Sequence, residues 1–265
     1  MTLDIFMSNT LYPNDRKIKR YGWKKSLPDF RDLRFSPPHM ALLPPIVDLR
    51  PGCPAVYDQD DLGSCTANAI AGLAEFLLKK EGKPSFTPSR LFIYYNERVM
   101  EGSVNEDAGA EIKDGFSVIA NLGCPNEALW WYNIAKFKVK PNKSVYVAGL
   151  KHQVVRYSRV NNANLNDMRA CLASGYPIVG GFTVYSSFES ATVARTGIVP
   201  LPRQNESILG GHAIMVVGYD DTKQMFITRN SWGTGWGIKG YFMMPYSYFC
   251  NTNLSDDWWT GSFIN

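Results

Sequence analysis

The 265-residue chain contains no apolar run near the roughly 18 residues that a membrane-crossing helix needs. No α-helical span and no membrane partner are therefore expected. Its first residues, MTLDIFMSNTLYPNDR, lack a basic start followed by an apolar stretch, so no signal peptide is expected. The five cysteines (53, 65, 124, 171 and 250) are an odd number in a large domain, which does not suit a secreted disulfide framework. At least one thiol should be free, and the cytoplasm or another reducing compartment is the expected location. Only three histidines are present, at 39, 152 and 212, which makes the search for a general base short. No internal repeat or low-complexity tract interrupts the chain, and nothing in it calls for a metal or an organic cofactor.

The formal net charge of +4 lies entirely at one end. Residues 1–45 carry eight Lys/Arg and four Asp/Glu, much of the surplus in RKIKRYGWKK (16–25), while the remainder is balanced. Six charges without a folded scaffold read as a solvated face, and nucleic acid is not an expected partner. The prolines of PDFRDLRFSPPHMALLPP prevent one long helix there, so residues 1–45 are taken as an N-terminal extension. Helical patterns follow: Cys65 to Lys80, with Ala67, Ile70, Ala71, Ala74, Leu77 and Leu78 at helical spacing; Thr87-Pro88 to about Gly102; Ala110 to Leu122; and Leu165 to Ala173. The later segments PIVGGFTVY, GHAIMVVGYD, QMFITRNSW and KGYFMMPY are short, β-rich and separated by turn residues. Helices first and strands second is the order of an α+β protein with two lobes. The main domain is expected over 46–265, a helical left lobe to about 145 and a β-rich right lobe from about 146.

In the stretch YDQDDLGSCTANAIAG (57–72) a cysteine stands where a turn becomes a helix. Unpaired N–H groups and the positive end of the helix dipole favour thiolate at Cys65. Free cysteines are commonly just packed, and position alone leaves that reading standing. His152, in LKHQVV, reads as an exposed residue near the start of a strand. His212 follows two glycines and precedes an apolar strand, so its approach is open and a neutral imidazole there can take a thiol proton. Asn230 lies 18 residues later, at the end of the next strand, where its carbonyl can fix the imidazole tautomer. Trp232 can cover that bond, and it can equally be core. Gln59, six residues before Cys65, can add a side-chain N–H to the Cys65 backbone N–H in binding an oxyanion.

Together these residues resemble the papain-like cysteine peptidases. The likeness rests on VDLR (47–50), Gln59 ahead of GSC (63–65), GHAIMVVGYD around His212, and NSWGTGWGIKGY (230–241). The order Cys, His, Asn fits, with His212 147 residues after Cys65, inside the family's spread of roughly 130–150. The tail PYSYFCNTNLSDDWWTGSF looks more like bacterial or viral members than lysosomal cathepsins, which adds a virion to the possible locations. The resemblance implies a two-lobe fold whose right lobe is an antiparallel β-barrel, with the active site in the cleft between the lobes. It implies Cys65 as nucleophile, His212 as base and then acid, Asn230 as orienting residue and Gln59 as oxyanion donor. Gly109-Ala110, in DAGAE, are the approximate counterpart of the family's glycine pair that contacts substrate backbone. Gly181, Gly210 and Gly211 are expected to line the main specificity pocket, beside Trp232. Leu62 replaces the cysteine whose disulfide usually pins the nucleophile loop, and Thr66 replaces a tryptophan. The implied activity is hydrolysis of polypeptide substrates through an acyl-enzyme, as an endopeptidase made as a zymogen; the alternative is an inactive binding or structural protein on the same fold. Tyr21, Trp23, Leu27, Phe30, Leu42 and Leu43 are too apolar for a free tail, and residues 1–45 are expected to act as a short pro-segment that inhibits its own domain.

Overall fold

The structure is a computed structural model that describes residues 21–37, 42–154 and 156–263. Seven α-helices occur among them: α1 (Cys65–Lys80), α2 (Arg90–Met100), α3 (Ile112–Asn121), α4 (Lys143–Gly149), α5 (Leu165–Ala173), α6 (Ala191–Thr196) and α7 (Tyr246–Phe249). The strands are β1 (Trp23–Lys24), β2 (Ile46–Asp48), β3 (Ala110–Glu111), β4 (Arg156–Arg159), β5 (Ile178–Tyr185), β6 (Ile208–Asp220), β7 (Met225–Arg229), β8 (Tyr241–Pro245) and β9 (Ser255–Ser262). Seven of them form an antiparallel sheet in the order β4-β9-β5-β6-β7-β8, with β2 added to β6 beyond the end of β5. This is the α+β architecture expected, with a helical lobe of α1–α4 and a sheet lobe.

The helix α1 is the shared spine. Every residue from Cys65 to Leu78 is buried, because the helix packs against α2 and α3 on one side and β6 on the other. One core runs through this contact, joining Ile70, Leu73, Leu77, Phe116 and Ile119 to Val179, Met215 and Val217 of the sheet. A second core fills the sheet lobe around Phe182, Phe188, Trp232, Phe242 and Trp258. Cys65, the first residue of α1, is thus held by a helix clamped from both sides.

Two helices start later than the pattern suggests. Ser89, rather than Thr87, caps α2, its hydroxyl accepting the Phe92 N–H, and α3 opens at Ile112 because Ala110 and Glu111 are drawn into β3 by pairing with β1. His152 lies in a turn before β4, its ring tilted on Phe86, and starts no strand. His39 falls outside the described residues. All five cysteines are free thiols.

Candidate active site

Cys65 begins α1 directly after the turn Gly63-Ser64 and is fully buried. Its sulfur accepts the Ala213 N–H at 3.4 Å. That bond crosses from the helical lobe to β6 and places Cys65 beside His212, the residue before Ala213. His212 Nε2 lies 2.8 Å from Asn230 Oδ1. A carbonyl oxygen can only accept, so Nε2 carries the proton and Nδ1 is left with its lone pair. Nδ1 is buried and has no hydrogen-bond partner among the described residues. The pairing of β6 with β7 brings His212 and Asn230 together: Met215, three residues after His212, opposes Arg229, the residue before Asn230. Trp232 lies at 5.0 Å between ring centroids, tilted 31° over the imidazole, and is itself backed by Trp236. It lies against the His212 ring and belongs to the core as well.

Gln59 is buried, with one hydrogen bond at each end of its amide. Its Oε1 accepts the Ser231 hydroxyl at 2.6 Å and its Nε2 donates to Leu62 O at 2.9 Å. The loop is fixed further by Tyr132, whose hydroxyl sits 2.6 Å from Ser64 Oγ and donates to Gln59 O at 2.8 Å. Arg90 stacks on Tyr132 and reaches Asn68 and Glu127. Thr66 donates to the buried Glu97 at 2.9 Å. Sequence reading did not find Tyr132, Arg90 or Glu97. Each acts through a fold contact 22 or more positions away, and no local pattern announces that.

The chain's own Tyr21, Gly22 and Trp23 fill the cleft, and residues 24–26 continue out of it. The Gly22 carbonyl accepts the Ala110 N–H at 2.7 Å, and β1 continues this pairing parallel to β3. The Gly22 N–H lies near enough to the Cys65 sulfur to favour its charged form. Only glycine fits there: a methyl group on Gly22 would fall 1.7 Å from the Gly63 carbonyl oxygen. The Trp23 ring lies on Gly181 and Gly211, where a methyl group at Gly181 would come within 2.0 Å of it. Tyr21 sits on Gly210, 5.9 Å from the His212 ring and 6.3 Å from Trp232, with its hydroxyl on Glu189. All six residues expected to touch substrate, Gly109, Ala110, Gly181, Gly210, Gly211 and Trp232, therefore face this segment. Beyond the cleft, Lys24 pairs with Glu101 at 2.6 Å, Lys25 with Asp256 at 2.8 Å, and the Ser26 N–H donates to the buried Asp257 at 2.6 Å. The basic surplus is thus partly spent on the domain's own carboxylates. Leu27, Phe30 and Leu42, expected to pack, are instead exposed.

Burial sets the charges. It pushes the Cys65 thiol up to about 11, against the pull of the Ala213 and Gly22 N–H groups. It pushes the His212 imidazole down to about 4, against the Asn230 carbonyl. The covered site therefore holds a neutral thiol and a neutral imidazole across the physiological range. The sign of the linkage follows. In an opened cleft His212 binds a proton more readily, so the covered form loses stability as pH falls from about 6.5 toward 4. Cys65 releases its proton more readily when uncovered, so the covered form also loses stability as pH rises from 9.0 toward 11. Hydrogen exchange at Ala110 N–H should be slowest between these windows, after correction for intrinsic exchange, and faster opening below about pH 6 checks the histidine half.

Comparison with known proteins agrees with this geometry. A family model described as papain family cysteine protease matches residues 43–257. An uncharacterized peptidase C1-like protein of Acanthamoeba polyphaga mimivirus is 39% identical over 267 residues, 91% of this chain and 86% of that protein. The crystal structure of xylellain, a cysteine protease from Xylella fastidiosa, superposes with a TM-score of 0.87 at 41% identity, over 92% of this chain and 96% of that one. Digestive procathepsin L 3 of Tenebrio molitor, at 19% identity and a TM-score of 0.69 over 88% of this chain and 74% of that one, shares the fold.

Proposed function

The chain belongs to the papain family of cysteine proteases, and from that premise we propose that it is an endopeptidase acting through Cys65, His212 and Asn230 and kept latent by its own residues 21–26. The observation that carries the reading is the His212–Asn230 bond, which leaves the Nδ1 lone pair available on the residue before Ala213, whose N–H meets the Cys65 sulfur. With the cleft open, the Cys65 proton passes to Nδ1 and the sulfur attacks the substrate carbonyl carbon. The oxygen gains the negative charge, and the Cys65 backbone N–H at the start of α1 supports it, joined by Gln59 through its second Nε2 hydrogen. The C–N bond then breaks, with His212 protonating the leaving amine and a thioester left on Cys65. Water, deprotonated by His212, attacks the thioester and regenerates the thiol.

The latency follows from what the segment presents. Cys65 meets the Gly22 N–H, while the Gly22 carbonyl is turned away onto Ala110. With the Gly22 carbonyl oxygen taken up by the Ala110 N–H rather than by the Cys65 backbone N–H, it lacks the oxyanion support that cleavage needs, which favours a segment that blocks without being cut at Gly22. The segment runs on beyond Trp23 through Lys24, Lys25 and Ser26, which supports a cleft open on that side and favours cleavage inside a polypeptide.

Replacing Asn230 with alanine leaves the buried Nε2–H without its acceptor and frees the ring to turn. The expected result is a kcat lower by roughly 10–100-fold with KM little changed, since a positioning loss of this kind acts on the chemical step. An unchanged kcat would remove Asn230 from the mechanism. The proposal as a whole is tested by hydrolysis of casein with and without residues 1–43.

A further inference from the structure

The reaction needs two parts of the helical lobe in register: the nucleophile loop ending at Cys65, and the Gly109-Ala110 strand on which the occupant of the cleft lays its backbone. Nothing covalent joins them, since all the cysteines are free. A single carboxylate does. Both oxygens of Asp107 accept the Gly63 N–H at 3.1 Å. The Tyr94 hydroxyl donates to Asp107 Oδ1 and accepts the Gly109 N–H at 3.1 Å. A continuous hydrogen-bonded run therefore passes from Gly63, two residues before Cys65, through Asp107 and Tyr94 to Gly109, next to the Ala110 N–H that holds the Gly22 carbonyl.

The surroundings keep this run stiff. Tyr94 is fully buried on α2, and burial together with the Asp107 charge pushes its hydroxyl well above the ordinary value, so it stays a neutral donor. The buried Arg98 guanidinium lies 4.1 Å from the Tyr94 ring centroid and donates to Val104 O at 2.8 Å and Glu106 O at 3.0 Å, which fixes the chain leading into Asp107. At Gly63 a side chain would crowd the carboxylate, since a methyl group there would stand 3.0 Å from Asp107 Oδ1.

We infer that Asp107, acting with Tyr94, is a positioning residue that sets the nucleophile loop at its working distance from the backbone-binding strand. It acts through the backbone of Gly63 and, by way of Tyr94, of Gly109, rather than at the sulfur. This rests on the peptidase reading for its effect on turnover, and its consequences separate from that reading. Losing the tie should weaken the grip of Ala110 on the Gly22 carbonyl and so open the cleft. It should also leave a peptide bound out of register with Cys65. A change that only loosens the segment would do the first and not the second.

The experiment uses the full-length chain, iodoacetamide as probe of Cys65 and casein as substrate. Gly22→Val displaces the segment and leaves the tie intact, whereas Asp107→Ala cuts the tie. Both should raise the alkylation rate, by about tenfold if the open fraction rises in proportion. In Gly22→Val, casein hydrolysis should rise with alkylation. In Asp107→Ala the ratio of hydrolysis to alkylation should fall at least tenfold, about the cost of misplacing a reacting group by a fraction of an ångström. Asp107→Asn keeps an oxygen acceptor for the Gly63 N–H and should hold the wild-type ratio. By hydrogen exchange, Asp107→Ala should expose the amides of Gly63 and Gly109 while those within α1 stay protected. An Asp107→Ala protein whose ratio matches that of Gly22→Val, or whose Gly63 and Gly109 amides keep wild-type protection, would overturn the inference. If Gly22→Val alkylates rapidly yet hydrolyses nothing, the peptidase reading fails, and the exchange pattern alone still decides for or against the tie.

Discussion

Deleting residues 1–43 should raise casein hydrolysis by roughly 10²–10³-fold, the factor expected if the covered form leaves only about one molecule in several hundred open at a time. The gain has two sources. The cleft becomes accessible, because Tyr21, Gly22 and Trp23 no longer occupy the surfaces of Gly109, Ala110, Gly181, Gly210 and Gly211. The site is also rehydrated, which removes the burial that holds the Cys65 thiol high and the His212 imidazole low. Thiolate and imidazolium can then form as a pair near neutral pH, which the covered site does not permit. The deletion stops before β2, which adds to the sheet edge at β6, so the melting temperature and near-ultraviolet circular dichroism should show a folded domain. A folded truncation no more active than the full chain would make residues 21–26 a structural strap rather than an inhibitor. The ion pairs Lys24–Glu101 and Lys25–Asp256 lie at the surface, so high salt should move the full chain partway in the same direction.

Replacing Cys65 with alanine in the uncovered protein should lower hydrolysis by about 10⁴-fold or more, to the background of the preparation, because no other group nearby can take its place as nucleophile. Cys65 is fully buried and makes one long bond to Ala213, so alanine should fold normally with a melting temperature close to wild type. His212→Ala should cost nearly as much, and the double variant little more, since the two act as one unit. Casein hydrolysis retained by a homogeneous Cys65→Ala protein would end the cysteine-protease mechanism for this chain.

The parts of this site that were legible in sequence share a property: local pattern and function coincide in them. The α1 bounds follow from apolar spacing that starts at Cys65, and α5 from the run between Leu165 and Ala173. His212 and Asn230 are brought together by two adjacent strands around a short turn, which is local geometry that periodicity can anticipate. Asp107, Tyr94, Tyr132 and Arg90 carry no such mark. They lie on loops or on faces of α2 that look like ordinary surface, and what they do is decided by a neighbour between 13 and 73 positions away. The docking of Tyr21 and Trp23 was anticipated from their apolar character, as part of a short pro-segment, without the contact each makes. Gly22 was not singled out, because the need for a residue without a side chain exists only against the Gly63 carbonyl. Leu27 and Phe30 misled for the converse reason: an apolar residue on a strap held to the domain by its polar neighbours, as Asp29 and Asp32 are held by Lys113, can remain in water.

The central claim is that Cys65 is a nucleophile covered by its own chain at Gly22. Its most direct test is intact-mass measurement of adducts with an epoxide inhibitor of thiol proteases, comparing the full chain, the 1–43 deletion and Cys65→Ala. The account predicts one adduct on the deletion protein within minutes, the same adduct on the full chain about 10²-fold more slowly, and none on Cys65→Ala. Equal labelling of the full chain and the deletion protein, or no labelling of Cys65 in either, would contradict it.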